Sequence, residues 1–65
     1  MRKMLRVKSL LYERNILQAD LARTLGISET RLSRILNGRD QPREAELARL
    51  AVELGVSEEE LLHGQ

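Results

Sequence analysis

The chain reads as all-α, and three observations say so. It is rich in Leu, Ala, Glu and Arg, with thirteen Leu and five Ala but only one Pro, one Tyr and no Phe or Trp, which favours helix and leaves sheet-forming residues scarce. Apolar positions recur at helical rather than alternating spacing. A corner phrase, LARTLGISETRL at 21–32, returns as LAVELGVSEEEL at 50–61, and each copy reads as a helix, a Gly-based turn and a second helix. At 65 residues the expectation is one domain, 1–65, built as a compact bundle of five helices. A domain of this size buries only about 60% of the surface its unfolded chain exposes. With no cysteine it has neither disulfide nor thiolate zinc site to help.

The first helix is expected from about Arg2 to Arg14. Met4, Val7, Leu10 and Leu11 face inward, while Lys3, Arg6, Lys8, Glu13 and Arg14 face outward, and Asn15 supplies a stop because Asn tolerates the left-handed conformation. The second spans about Gln18 to Leu25, with Leu21, Ala22 and Leu25 inward, and ends at Gly26. Ser28 caps the third, Glu29 to about Leu36, with Ile27 and Leu32 as a hydrophobic staple across its start. Asn37-Gly38 closes it. Arg39 to Pro42 is a short linker, or Pro42 opens the fourth helix, which carries Leu47, Ala48, Leu50, Ala51 and Leu54 and stops at Gly55. In the fifth, ending near Leu62, Ser57 with Glu60 forms a capping box and Val56 with Leu61 a staple.

Net charge is +1, yet residues 1–43 hold ten Lys/Arg against four Asp/Glu while residues 44–65 hold one against six. The first part attracts polyanions and the second repels them. The basic start, MRKMLRVK, leads into no apolar run of signal-peptide or transmembrane length. A soluble, cytoplasmic protein is expected, nucleoid-associated if it binds DNA, and the lack of cysteine fits a reducing compartment. Enzymatic chemistry is disfavoured. There is no Cys, one His near the end and no carboxylate pair that a pocket could enclose, and a helical domain this small rarely forms a ligand cleft. No cofactor, metal or small-molecule ligand is expected.

The stretch QADLARTLGISETRLSRILNGR, 18–39, resembles the phage-repressor-type (lambda-repressor-like, Xre/Cro) DNA-binding domain. It shares the Gln that opens the second helix, the Ala22-x-x-x-Gly26 corner and the closing Asn37-Gly38. The likeness continues through the Pro and the LGVSEEELL ending, covering about Leu10 to Leu62. It implies a five-helix bundle that lays the third helix in the DNA major groove, usually as a dimer on a palindromic operator. The chain departs from the pattern at three places. Leu17 stands where the family has a helix cap, Arg43 stands where it often has Ser after the Pro, and Leu11 and Leu36 stand where many members pair Arg with Glu. Aliphatics in place of a buried ion pair are often neutral or stabilising, so these two leucines are expected to pack together.

The two corners differ in charge. The outward residues of the third helix are Glu29, Thr30, Arg31, Ser33 and Arg34, whereas the fifth opens on Glu58, Glu59 and Glu60, which suits a helix N-terminus and repels phosphate. The earlier corner is therefore the expected reader and the later one structural. The resemblance assigns Gln18 to a backbone phosphate. Ser28 and the first amides of the third helix are similarly placed, and Asn37, Arg39 and Arg43 flank the groove from the other end. Arg31 or Arg34 is suited to grip guanine O6 and N7 in bidentate fashion. Thr30 suits a base or a thymine methyl. Glu29 suits cytosine N4, or else serves the helix dipole or tethers Arg31 or Ser33. The expected function is a sequence-specific double-stranded DNA-binding regulator, most simply a repressor acting as a homodimer. The expected dimer surface is the linker, the start of the fourth helix and the apolar residues near Leu61 and Leu62. The alternative is a protein-interaction module such as an antitoxin.

Overall fold

A computed structural model describes residues 3–63 and forms them into α1 (Leu5–Glu13), α2 (Gln18–Leu25), α3 (Glu29–Leu36), α4 (Glu44–Leu54) and α5 (Glu58–His63), with no strand among the described residues. The expected bounds of the second and third helices are met. Every helix sends one stripe into a single aliphatic core: Val7, Leu10 and Leu11; Leu21 and Ala22; Leu32, Ile35 and Leu36; Leu50, Ala51 and Leu54; and Leu61. Leu11 and Leu36 both lie in this cluster, so aliphatic packing between α1 and α3 occupies the ground where an Arg–Glu pair is often found.

Four helices end the same way. A left-handed residue closes each: Asn15 (φ 56°), Gly26 (φ 73°), Gly38 (φ 76°) and Gly55 (φ 66°). Behind each, two amides reach back to the last free carbonyls. At the first corner Gly26 N–H donates to Arg23 O (3.1 Å) and Ile27 N–H to Ala22 O (3.0 Å); at the second, Gly55 N–H donates to Val52 O (3.2 Å) and Val56 N–H to Ala51 O (3.1 Å). This is the Schellman arrangement. A Cβ on Gly26 or Gly55 would meet nothing within 4 Å, so the demand for glycine there is conformational rather than steric. Ile16, Ile27 and Val56, the residues following three of these turns, pack half-buried against the core.

The repeated phrase is thus a repeated corner, and its caps repeat too. Ser28 Oγ accepts from Arg31 N–H (3.1 Å) and Ser57 Oγ from Glu60 N–H (3.0 Å). The expected capping box at Ser57 is only half made, because the Glu60 carboxylate accepts instead from Arg6 Nε at 2.9 Å. A charge-assisted bond across the α1–α5 contact outcompetes a bond to a local backbone amide. The complete N-cap-to-N3 return appears at α4, where Arg43 N–H donates to Glu46 Oε1 (2.6 Å).

Other differences have similar causes. The expected first-helix start at Arg2 lies outside the described residues, and α1 opens at Leu5. Met4 N–H donates to Leu36 O at 2.9 Å, which ties the entry of α1 to the end of α3. Pro42 stands outside α4, one residue before its N-cap Arg43. Arg14, expected simply to face outward, donates from Nη1 to Leu54 O at 2.5 Å, satisfying a terminal carbonyl of α4 and placing a cation at its negative end. Leu61 is 1% exposed and has no surface to offer a partner; Leu62, at 44%, does.

One ion pair links α3 to α4 beside the core. Glu46 is 7% exposed and the one buried charged residue among those described. Its Oε2 accepts from Arg31 Nε at 2.9 Å and its Oε1 from Arg31 Nη2 at 2.7 Å, a fork-to-carboxylate match. The hydrogen bond from Arg31 holds the Glu46 carboxyl below its ordinary pKa, against the opposing effect of burial and with help from the Arg43 amide.

Two outcomes are expected. Leu17, 66% exposed, sits at the α2 N-cap in the extended conformation (φ −76°, ψ 138°) with no side-chain hydrogen bond to the helix. Leu17→Ser therefore stabilises the fold by about 1 kcal/mol in chemical denaturation. A carboxyl whose pKa is lowered on folding contributes stability above its unfolded pKa and loses it as pH falls through the folded value. The unfolding midpoint therefore drops between about pH 5 and pH 3, and Glu46→Gln makes that slope shallower.

Candidate nucleic-acid interface

Because Leu32, Ile35 and Leu36 occupy the core side of α3, residues at 29, 30, 33 and 34 are forced to the opposite face, where spacings of three and four stack them in line. Glu29, Thr30, Ser33 and Arg34 join Gln18 and Arg39 in lining one open depression of about 440 Å³. Gln18 arrives as the first residue of α2, across the corner. Arg39 arrives through the left-handed turn at Gly38, its N–H donating to Arg34 O at 2.8 Å. Six of the ten residues nominated from sequence thus converge on a single surface.

The other four do not line it, and three of them have side-chain partners elsewhere. Ser28 spends its oxygen on the helix cap and keeps its hydroxyl hydrogen for another acceptor. Asn37 is tied at both ends of its amide: Nδ2 donates to Ser33 O (2.8 Å), and Oδ1 accepts from Lys8 Nζ (2.6 Å). Arg43 is exposed at the α4 N-cap. Arg31 is taken up with Glu46, its side chain 28% exposed. Glu29 is exposed and tethers neither Arg31, which Glu46 holds, nor Ser33, which bonds Asn37.

Arg34 is the residue on this face with the most defined geometry. Its Nε donates to Asp40 Oδ2 at 2.8 Å and its Nη2 to Asp40 Oδ1 at 3.1 Å. The bond to Asp40 raises the Arg34 pKa above its ordinary value. In return, the bond from Arg34 holds the Asp40 carboxyl below its ordinary value despite the cost of burial, with a further lowering by the Arg31 charge. Arg31 Nη1 lies 3.8 Å from the same Oδ2.

Lys8, Asp40 and Glu46 are the residues that sequence reading did not bring to the site. Lys8 reaches Asn37 from 29 positions away and Glu46 reaches Arg31 from 15, distances at which local spacing carries no signal. At the second corner Glu58 and Glu59 stay exposed while Glu60 faces Arg6, so that helix start presents three carboxylates where α3 has one, Glu29, followed by Thr30 and Arg31. Among the described residues no group of His, Cys, Asp or Glu is arranged to hold a metal, and no helix is long and apolar enough to cross a membrane.

Comparison with known proteins agrees with this geometry. No curated protein sequence matches the chain. The solved DNA-binding domain of the P22 c2 repressor (its residues 1–76) superposes with a TM-score of 0.84 at 25% identity, covering 98% of this chain and 84% of that one. A helix-turn-helix family model matches residues 7–61, a span that runs from the first buried residue of α1 to the buried leucine of α5 and contains both corners. The chain belongs to the helix-turn-helix family, of the phage-repressor (Xre/lambda-repressor-like) type.

Proposed function

We propose that this DNA-binding regulator acts as a repressor, laying α3 in the major groove of its operator as one half of a homodimer and occluding a promoter. The observation that carries the reading is the convergence of Gln18, Glu29, Thr30, Ser33, Arg34 and Arg39 on one open face, behind which the same helix is locked into the core. A helix so exposed along one side fits a groove about 12 Å wide.

Contacts divide by chemistry. Gln18, the Ser28 hydroxyl and the first amides of α3 hold the sugar-phosphate backbone and set register. Arg39, Arg43 and Asn37, the last with Lys8 beside it, flank the groove from the other end. Thr30, Ser33 and Glu29 face base edges, Glu29 suited to cytosine N4. Arg31 is held against buried Glu46 with its side chain 28% exposed, whereas Arg34 is 49% exposed and lines the depression, so the guanine-reading role falls to Arg34. One α3 spans only a few base pairs, and useful affinity requires two copies on half-sites about one helical turn apart. The working place of such a protein is the cytoplasm, at the nucleoid.

Selection of duplexes from random sequence by the intact chain is expected to return a palindrome, with log affinity falling by roughly 0.9 per phosphate contact for each unit of log salt. A flat salt response combined with tight retention of another protein would favour the antitoxin-like reading instead. On the selected site, Arg34→Ala should cost about 1–3 kcal/mol and relax preference at one base pair, whereas Gln18→Ala should weaken all duplexes alike. Equal behaviour of the two variants would remove the distinction between reading and positioning.

A further inference from the structure

We propose that Asp40 determines specificity by holding Arg34 along one edge of its guanidinium, so that the adjoining edge is presented, already oriented, to a guanine. This rests on the reading role of α3 proposed above.

A guanidinium carries five N–H donors in a rigid plane. The Nε–H and one Nη2–H of Arg34 are directed at Asp40, at 2.8 and 3.1 Å. What remains is both hydrogens of Nη1 and the second of Nη2, of which the latter and the neighbouring Nη1–H form another two-pronged edge with the spacing that suits O6 and N7 of guanine. An arginine held this way need not lose its side-chain freedom on meeting the base, because it has lost it already.

Asp40 is itself held. Its N–H donates to Arg34 O at 3.2 Å, within the turn that closes α3, and its side chain is 28% exposed. Arg31 Nη1 stands 3.8 Å from the same Oδ2 that Arg34 uses, and Arg31 is clamped in turn by buried Glu46. Charges therefore alternate from the inner side of α4 to the reading face: Glu46, Arg31, Asp40, Arg34. Arg31 acts as a positioning residue within this series.

The carboxylate of Asp40 has two consequences of opposite sign. Beside a duplex it repels phosphate and lowers affinity for any sequence. By orienting Arg34 it raises the advantage of the one base pair that Arg34 reads. Removing it separates the two, which a merely repulsive charge would not do.

The test compares the intact wild-type chain, Asp40→Asn, Arg34→Ala and the double variant on three duplexes: the selected site, that site with the Arg34-dependent pair replaced, and an unrelated sequence. Asp40→Asn is expected to bind the unrelated duplex several-fold more tightly while discrimination at the Arg34-dependent pair falls by about tenfold and no other position changes. In the Arg34→Ala background, Asp40→Asn should reduce discrimination no further, because coupled residues are not additive. Arg34→Lys, which keeps the charge and the exposed position but lacks the fork, should lose discrimination at the same pair, a check independent of how well the Asp40 variant folds. Uniformly tighter binding by Asp40→Asn with discrimination intact would overturn the proposal, leaving Asp40 as a repulsive charge only. If the wild type prefers no sequence, the reading role of α3 fails first, whatever Asp40 does.

Discussion

The structure depends on one constraint: a chain of 65 residues without cysteine must put a stripe of every helix into the same aliphatic core. Leu32 and Leu36, each 0% exposed, and Ile35 at 1% leave α3 no rotational freedom about its axis. Once that stripe is buried, 29, 30, 33 and 34 have only one direction in which to point. The geometry of the exposed face is therefore a by-product of packing, as precise as the core is tight. Burial of this kind is worth roughly 1.5–3 kcal/mol for each large side chain, a large share of the stability available to a domain this small.

The duplicated corner shows how little of such a site is backbone. At Gly26 and Gly55 the left-handed turn, the two returning amides and the Ser cap recur with nearly the same distances. What differs is the side chains on the solvent face and the neighbours they find. Glu58 and Glu59 face water and Glu60 is turned to Arg6, whereas the α3 face carries a single Glu29 with Thr30, Ser33 and Arg34 beside Gln18. A helix start favours carboxylates electrostatically, so the more acidic copy has the better-matched helix start and is the worse partner for a polyanion. The two corners are alike in everything that makes a corner and unlike in what they present.

Local signals were legible and distant ones were not. Gly26, Ser28 and Asn37-Gly38 bound α2 and α3 in the sequence, since a left-handed stop and an oxygen cap act over three or four residues. The face of α3 followed from periodicity. The Ser57–Glu60 box failed for the opposite reason: whether a Glu returns to its own helix depends on whether a cation such as Arg6 lies within reach, 54 positions away. Arg31 and Arg34 look interchangeable in the sequence, three residues apart on one helix. Glu46 and Asp40 are what distinguish them, one claiming Arg31 and the other Arg34.

That distinction bears on how a nearly neutral protein can read a polyanion. The chain as a whole carries +1, and two of the cations nearest the depression are already paired with carboxylates. Every free cation on such a face strengthens binding to any duplex, because phosphate is everywhere and the contact releases counterions irrespective of sequence. Pairing Arg31 with Glu46 and Arg34 with Asp40 removes much of that indiscriminate attraction. On the proposed reading of α3, what remains are contacts whose strength depends on the base being met. Since a regulator is judged against an enormous excess of wrong sites, the ratio between right and wrong sequence matters more than the affinity for either. If α3 reads DNA as proposed, an ion-paired face trades general affinity for duplexes against discrimination between them.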